Sequence, residues 1–285
     1  MACFASLAPN AILADCDVDA ADLHLVLNPR LRETVDFYGG KKARIIPENC
    51  TSCGICLELC RFDAVIKDDH DENVDLPEFR IDTIACEGCG VCAHFCPEDT
   101  IVLEQPKCGE LYLSETEFGP FAHARLGIAA ENSGKLVAEV RKLARENPGT
   151  ESAEYIIIDG PPGIGCPVIS SMTGVDIVLI VAEPTISGLS DLKRAEALAR
   201  HFGIPATVCI NKCDINADVT AEIIEYCRGR GVEVLGEIPY DTAFTRAQIR
   251  GISVLEFVDG ELRDRVISIW ENLCRELLER AGATK

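Results

Sequence analysis

Two stretches, CTSCGICLELC and CEGCGVCAHFCP, constrain this chain more than any other feature. Cys50, Cys53, Cys56 and Cys60 follow the spacing C-x2-C-x2-C-x3-C, and Cys86, Cys89, Cys92 and Cys96 repeat it 36 positions later. The flanks repeat too, with Ala64–Ile66 answering Thr100–Val102. An internal duplication of this kind builds two like halves around a shared core. The chain holds 16 cysteines in 285 residues. No charged start, apolar stretch and small-residue cleavage site marks a secretory signal, so the cysteines point to metal rather than disulfides and the expected compartment is the cytoplasm.

The spacing has a physical reason. Three thiolates two residues apart on a tight loop can hold three irons of one cubane, and Gly54 and Gly90 let the loop backbone come close. The fourth cysteine lies on the next helical turn and points away, toward the other cluster. The expected ligand sets are therefore Cys50, Cys53, Cys56 with Cys96, and Cys86, Cys89, Cys92 with Cys60, one [4Fe–4S] cluster each. Two structural zinc sites are the plainer alternative, set aside because the duplicated run is so specific. Over residues 42–107 the sequence resembles bacterial two-cluster ferredoxins. It departs from them at Arg61, where a proline usually follows the last cysteine of the run; Pro97 keeps that position in the second run.

Outside this segment the pattern is α/β. Tyr155–Ile158 is a buried strand followed by Asp159 and a Gly/Pro loop; GVDIVLIVAEP, PATVCINKCD and VEVLGEIPYD are three more strands. Helices are expected over Ala2–Leu7, over Asn132–Glu146, from Ser187 to Gly203, and over Glu261–Arg280. Buried strands alternating with amphipathic helices predict a doubly wound, mostly parallel sheet. The expected organisation is 1–41 and 108–285 as one α/β domain, with 42–107 as an inserted α+β ferredoxin-type domain.

The loops DCDVDAADLH and IIIDGPPGIG resemble the first and second switches of the MinD/ParA/Mrp branch of P-loop ATPases, which includes the nitrogenase iron protein. The resemblance implies that Asp17 helps place an attacking water and that Asp159 acts on Mg²⁺ through water. It also implies that Asp15 and Gly163 lie at the nucleotide, Gly163 near the γ-phosphate, and that Asn211, Pro239 and Asp241 line the adenine. An acidic residue after an apolar strand is often only a helix cap; the order and spacing of the set favour a site.

That family also needs a Gly-rich, lysine-bearing phosphate loop ahead of the helix that precedes Asp15. The sequence reaches only Ala2–Leu7 there, and ENSGKLV is no substitute because Leu136 stands where Ser or Thr would hold Mg²⁺. The expectation is a start inside the domain, the alternative being a true pseudo-ATPase that has lost the loop; Mg–ATP is then a cofactor only when the loop is present, and the 285 residues alone should not hydrolyse ATP.

Eight cysteines lie outside the runs: Cys3, Cys16, Cys108, Cys166, Cys209, Cys213, Cys227 and Cys274. Most read as small buried hydrophobes. Cys166 differs, because the nitrogenase iron protein has a cluster-binding cysteine at the same offset from its corresponding aspartate, and this places Cys166 as a candidate at a subunit face. A homodimer or a paralogous subunit is the assembly this implies. A net charge of −20, from 47 acidic and 27 basic residues, argues against nucleic acid and against an anionic membrane surface. The apolar stripe Leu262, Val266, Trp270, Leu273 and Leu277 is expected to pack on the sheet rather than on lipid. The function this predicts is electron transfer through iron–sulfur clusters built into a MinD-type fold and gated by nucleotide, toward an unidentified redox partner. The alternatives are an iron–sulfur assembly or carrier ATPase and a non-catalytic redox sensor.

Overall fold

The computed structural model describes residues 1–68, 78–127, 133–147 and 149–283. Its strands, in chain order, are β1 (Ala11–Asp15), β2 (Arg30–Tyr38), β3 (Lys42–Ile45), β4 (Val65–Asp68), β5 (Glu78–Ile81) and β6 (Ile101–Glu104). They continue with β7 (Lys107–Thr116), β8 (Gly119–Leu126), β9 (Tyr155–Asp159), β10 (Val178–Ala182), β11 (Ala206–Asn211) and β12 (Glu233–Ile238). The chain divides into two compact units. One takes Met1–Thr34, Leu111–Arg125 and Ser133–Lys285, and the other holds Val35–Glu110.

In the larger unit β1 pairs in parallel with β8 on one side and β9 on the other, and β10, β11 and β12 form a parallel set of their own. The strand orders are β2-β7-β8-β1-β9 and β10-β11-β12, so the parallel strands form two sheets rather than one continuous sheet. β9 and β10 end their sheets unpaired with each other, and Ile156 and Val181 on them are exposed. All five residues of β1 are buried, as a strand paired on both edges and covered on both faces requires. The main core joins Leu13, Phe121, Cys209 and Leu235 to Ile269, Trp270 and Leu273 of the helix Glu261–Ala283. That helix therefore spends the centre of its apolar stripe on the sheet, with Leu277 half-buried. Among the described residues no helix is long and apolar enough to cross a membrane.

Several local boundaries differ from expectation for identifiable reasons. The first helix covers only Ala2–Ala5. The expected helix from Asn132 starts outside the described residues and is seen as Ser133–Arg145. The helix expected to open at Ser187 is Ile186–His201: the Thr185 side chain accepts from the Gly188 amide and caps it, leaving Ser187 inside the first turn. Gly203 does close it, in the left-handed region at φ 68°.

β7 and β8 form a hairpin across the two-residue connection Glu117–Phe118. His123 stacks on Phe121 with ring centroids 4.5 Å apart, and one of its ring nitrogens, Nε2, lies 3.0 Å from Ser114 Oγ. Burial, with a smaller push from His24, holds the His123 imidazole down at about 4, against 6.5 for a free histidine. The unfolded chain thus binds this proton first, so stability is lost as pH falls from 6.5 toward 4. Thermal unfolding of the parent and of His123→Phe at pH 7.5 and 5.5 should show it. The parent should lose about 1.4 kcal/mol more than the variant over that interval.

The smaller unit repeats its own architecture. β3 pairs antiparallel with β6 and β4 with β5. Its core is small and partly made of cysteine: Cys56 and Cys86 are buried among Ala43, Ile45, Ala64, Val65, Phe79 and Ile101. So little apolar surface gives limited stability, and ligand binding by the thiols would add directly to folding.

Candidate functional site

Each cysteine run bends through a left-handed glycine into a short helix. Gly54 has φ 80° and caps Ile55–Leu59; Gly90 has φ 78° and caps Val91–His94. This turn brings the first three cysteines of a run to one side of the loop. One cavity, about 340 Å³, is lined by Cys50, Cys53, Cys56 and Cys96 with Ile45, Phe79 and Ile101. A second, about 360 Å³, is lined by Cys60, Cys86, Cys89 and Cys92 with Ala43, Val65 and Ile81. The fourth cysteine of each run thus lies at the cavity of the other run.

The electrostatics follow the same grouping at Cys92, while Cys56 also feels the other site. Burial pushes the Cys56 thiol up, and Cys50, Cys53 and, from the other cavity, Cys92 add to it; burial pushes Cys92 up, and Cys86, Cys89 and Cys60 add to it. Amide donors already face one sulfur: Ala43 N–H and Gly88 N–H each reach Cys86 Sγ at 3.4 Å. Cys96 Sγ lies 3.4 Å from Thr100 Oγ1. Among the described residues no three His, Cys, Asp or Glu side chains converge on a single ion; four thiols spaced around a cavity are instead what a cubane of four irons accepts. The donor chemistry of both cavities fits a [4Fe–4S] cluster.

In the larger unit the expected nucleotide residues sit at the carboxyl ends of parallel strands, the usual ligand edge of an open α/β sheet. Asp15 and Asp159 are register partners on β1 and β9, and Cys16 N–H donates to the Asp159 carbonyl at 2.8 Å. Asp17 N–H donates to Asp15 Oδ1 at 3.1 Å. Burial, and then the charge of Asp159, raise the Asp15 carboxyl to about 7; burial also raises Asp17. Asp15 Oδ2 is buried without a hydrogen-bond partner. An acidic cluster with an orphaned carboxylate oxygen fits a hydrated divalent cation. Gly163 holds φ 95° with open space on its Cβ side.

The second group is also brought together. Asn211 ends β11 opposite Ile238, and Pro239 follows directly on the neighbouring strand. Asp241 caps the helix Thr242–Ile249 by accepting from the Ala243 amide at 2.7 Å, so its carboxylate has a structural task. Lys212, in the left-handed region at φ 56°, pairs with Glu183 at 2.6 Å, and Asp214 accepts from Tyr240 N–H.

One residue escaped sequence reasoning. Arg141, on the helix Ser133–Arg145, is buried; it donates through Nη1 to the Ser170 carbonyl, while Nε and Nη2 have no partner. Its charge acts on Cys16, next to Asp15. Nothing in the stretch VRKLAR separates it from the solvent-facing arginines. Of the cysteines outside the runs, Cys16, Cys108, Cys209 and Cys227 are buried, and burial pushes Cys209 up to about 12. Cys166 is exposed at the start of the helix Cys166–Met172.

Residues 49–101 match the 4Fe–4S dicluster domain family. An uncharacterized protein of Methanocaldococcus jannaschii is 33% identical over 207 residues, covering 73% of this chain and 69% of that protein. An iron-sulfur cluster carrier protein of Pyrococcus abyssi is 28% identical over 166 residues; the match covers 53% of this chain and only 56% of the carrier. Among solved structures, the septum site-determining protein MinD of Pyrococcus horikoshii, complexed with Mg-ADP, superposes with a TM-score of 0.53 at 16% identity. That superposition covers 95% of this chain and 86% of MinD, and at such identity it shows a shared fold.

Proposed function

Because the chain belongs to one family with the uncharacterized Methanocaldococcus jannaschii protein and joins a 4Fe–4S dicluster domain to a MinD-like fold, we propose that it is an iron–sulfur electron-transfer protein whose nucleotide-binding fold gates the transfer when its phosphate loop is present. The observation that carries this reading is the grouping of eight cysteines, four and four, around two cavities. Cys50, Cys53, Cys56 and Cys96 hold one [4Fe–4S] cluster, and Cys86, Cys89, Cys92 and Cys60 hold the other. Bound there, each cluster supplies storage for one electron.

The remaining work falls to the chain. Ile45, Phe79 and Ile101 keep water from the first site. The Ala43 and Gly88 amides disperse the negative charge of the Cys86 sulfur. Asp15, Asp17 and Asp159 form the cation edge of the gate, with Asp159 acting on Mg²⁺ through water and Asp17 orienting the attacking water. Gly163, Asn211, Pro239 and Asp241 face the nucleotide. Gating also requires a phosphate loop, a motif that the 285 residues do not contain. Cys166, exposed beside the second switch, is the thiol best placed to meet a second subunit.

A second reading, cluster delivery, is supported by the likeness to iron-sulfur cluster carrier proteins of Pyrococcus. The two separate on cluster fate. Loaded protein should survive repeated anaerobic reduction by dithionite and reoxidation with its iron intact, even when mixed with an apo-ferredoxin. Rapid loss of its clusters to that acceptor would overturn electron transfer in favour of delivery.

A further inference from the structure

The duplication that makes the two halves of the smaller unit alike breaks at one charged position. Shifting by 36 residues lays Lys42-Ala43-Arg44-Ile45 on Glu78-Phe79-Arg80-Ile81, so β3 and β5 are counterparts. The last two positions are identical. Ala43 and Phe79 are both buried, and each lines the cavity of the other half's cysteine run. The first position is reversed in charge, lysine on one strand and glutamate on the other.

Lys42 is placed to act. Its side chain is half-buried, and its Nζ donates to the Cys86 carbonyl at 2.5 Å. The next residue, Ala43, donates its amide to the Cys86 sulfur. Two neighbouring residues of β3 thus grip the loop that carries Cys86 and Cys89, one of them bringing a full positive charge. We propose that Lys42 makes the site of Cys60, Cys86, Cys89 and Cys92 the easier of the two to reduce, so that the protein carries two clusters of unequal potential. The inference rests on the reading that both cavities hold clusters.

The physical argument is Coulombic. Each reduction adds one negative charge to a site, and a cation held against the site's own loop favours the reduced form. Other groups near the two sites act more weakly than Lys42. Thr100 Oγ1 beside Cys96 favours reduction of the first site, but a neutral hydroxyl at 3.4 Å is a weaker influence than an ammonium. Glu87, in the second loop, and Lys67, paired with Phe79 across β4 and β5, both oppose the difference. Both are exposed, and solvent and salt screen them more than the half-buried Lys42.

An EPR-monitored potentiometric titration of the anaerobic, cluster-loaded protein, with dithionite as reductant, tests this. The parent should show two one-electron steps at separate potentials. Lys42→Gln should lower the higher step alone and bring the two together, and Lys42→Arg should leave them apart. Lys42→Met provides a second neutral variant should the first load poorly. Coincident steps in the parent, or a lysine substitution that shifts the lower step or neither, would overturn the inference while leaving the two-cluster reading intact. A parent that binds fewer than two clusters would overturn both, and iron content on the same samples tells these failures apart.

Discussion

Replacing Cys60 with alanine should empty the site of the second cysteine run and leave that of the first filled, although Cys60 belongs to the first run in sequence. The cavity bounded by Cys86, Cys89 and Cys92 takes its fourth sulfur from Cys60, and the charge of Cys60 acts on Cys92. Iron content should fall by about half. Double variants identify which half. Cys60→Ala with Cys89→Ala should lose no more iron than either alone, because both damage one site, whereas Cys60→Ala with Cys53→Ala should lose nearly all of it. The reverse pattern, with Cys60 and Cys53 behaving as one unit, would mean that each run builds its own cluster.

Gly88→Ala should be nearly as damaging, and for a different reason. Gly88 has φ 60°, and a Cβ added there would stand 1.9 Å from the Lys41 carbonyl oxygen and 2.6 Å from its carbon. These are backbone atoms, so no side-chain rotation relieves the clash, and the loop carrying Cys86 and Cys89 must move. Its counterpart in the first run, Ser52, holds a similar φ of 55° and already carries a Cβ. The variant should therefore lose iron from the second site and keep the first, read as a fall from about eight irons per chain to about four. Ser52→Ala, by the same reasoning, should keep its full iron. Full iron in Gly88→Ala would show that the loop tolerates the displacement.

The cysteine constellation was legible in the sequence because cluster ligation imposes a rigid spacing, and a duplication writes that spacing twice. The strands β9 and β10 were legible for a related reason: YIIID and VLIVA are nearly unbroken apolar runs, as parallel strands are, and β11 and β12 keep enough Val, Ile and Leu to be read beside them. β2 was not found. Its sequence RLRETVDFY is polar and almost wholly exposed, with only Phe37 buried, so it carries no period that marks a strand. The hairpin of β7 and β8 is masked in the sequence by the cysteine-rich segment next to it, whose expected end at residue 107 is the first residue of β7.

The nucleotide edge was half legible. Asp15 and Asp159 follow apolar strands, and their register pairing brings the carboxylates together at one sheet edge. Arg141 could not be read, because a helix position reveals its burial only once its neighbours are known. Lys42 is equally hidden in the sequence. Its meaning depends on the Cys86 carbonyl, 44 positions away, and on comparison with Glu78, which becomes natural only when β3 and β5 are seen as counterparts.

Iron and acid-labile sulfide analysis of anaerobically purified, full-length protein, with metal identity by mass spectrometry, tests the central claim most directly. About eight irons and eight sulfides per chain are expected, as two [4Fe–4S] clusters require. Four or fewer irons after complete reconstitution, or zinc in their place, would contradict it.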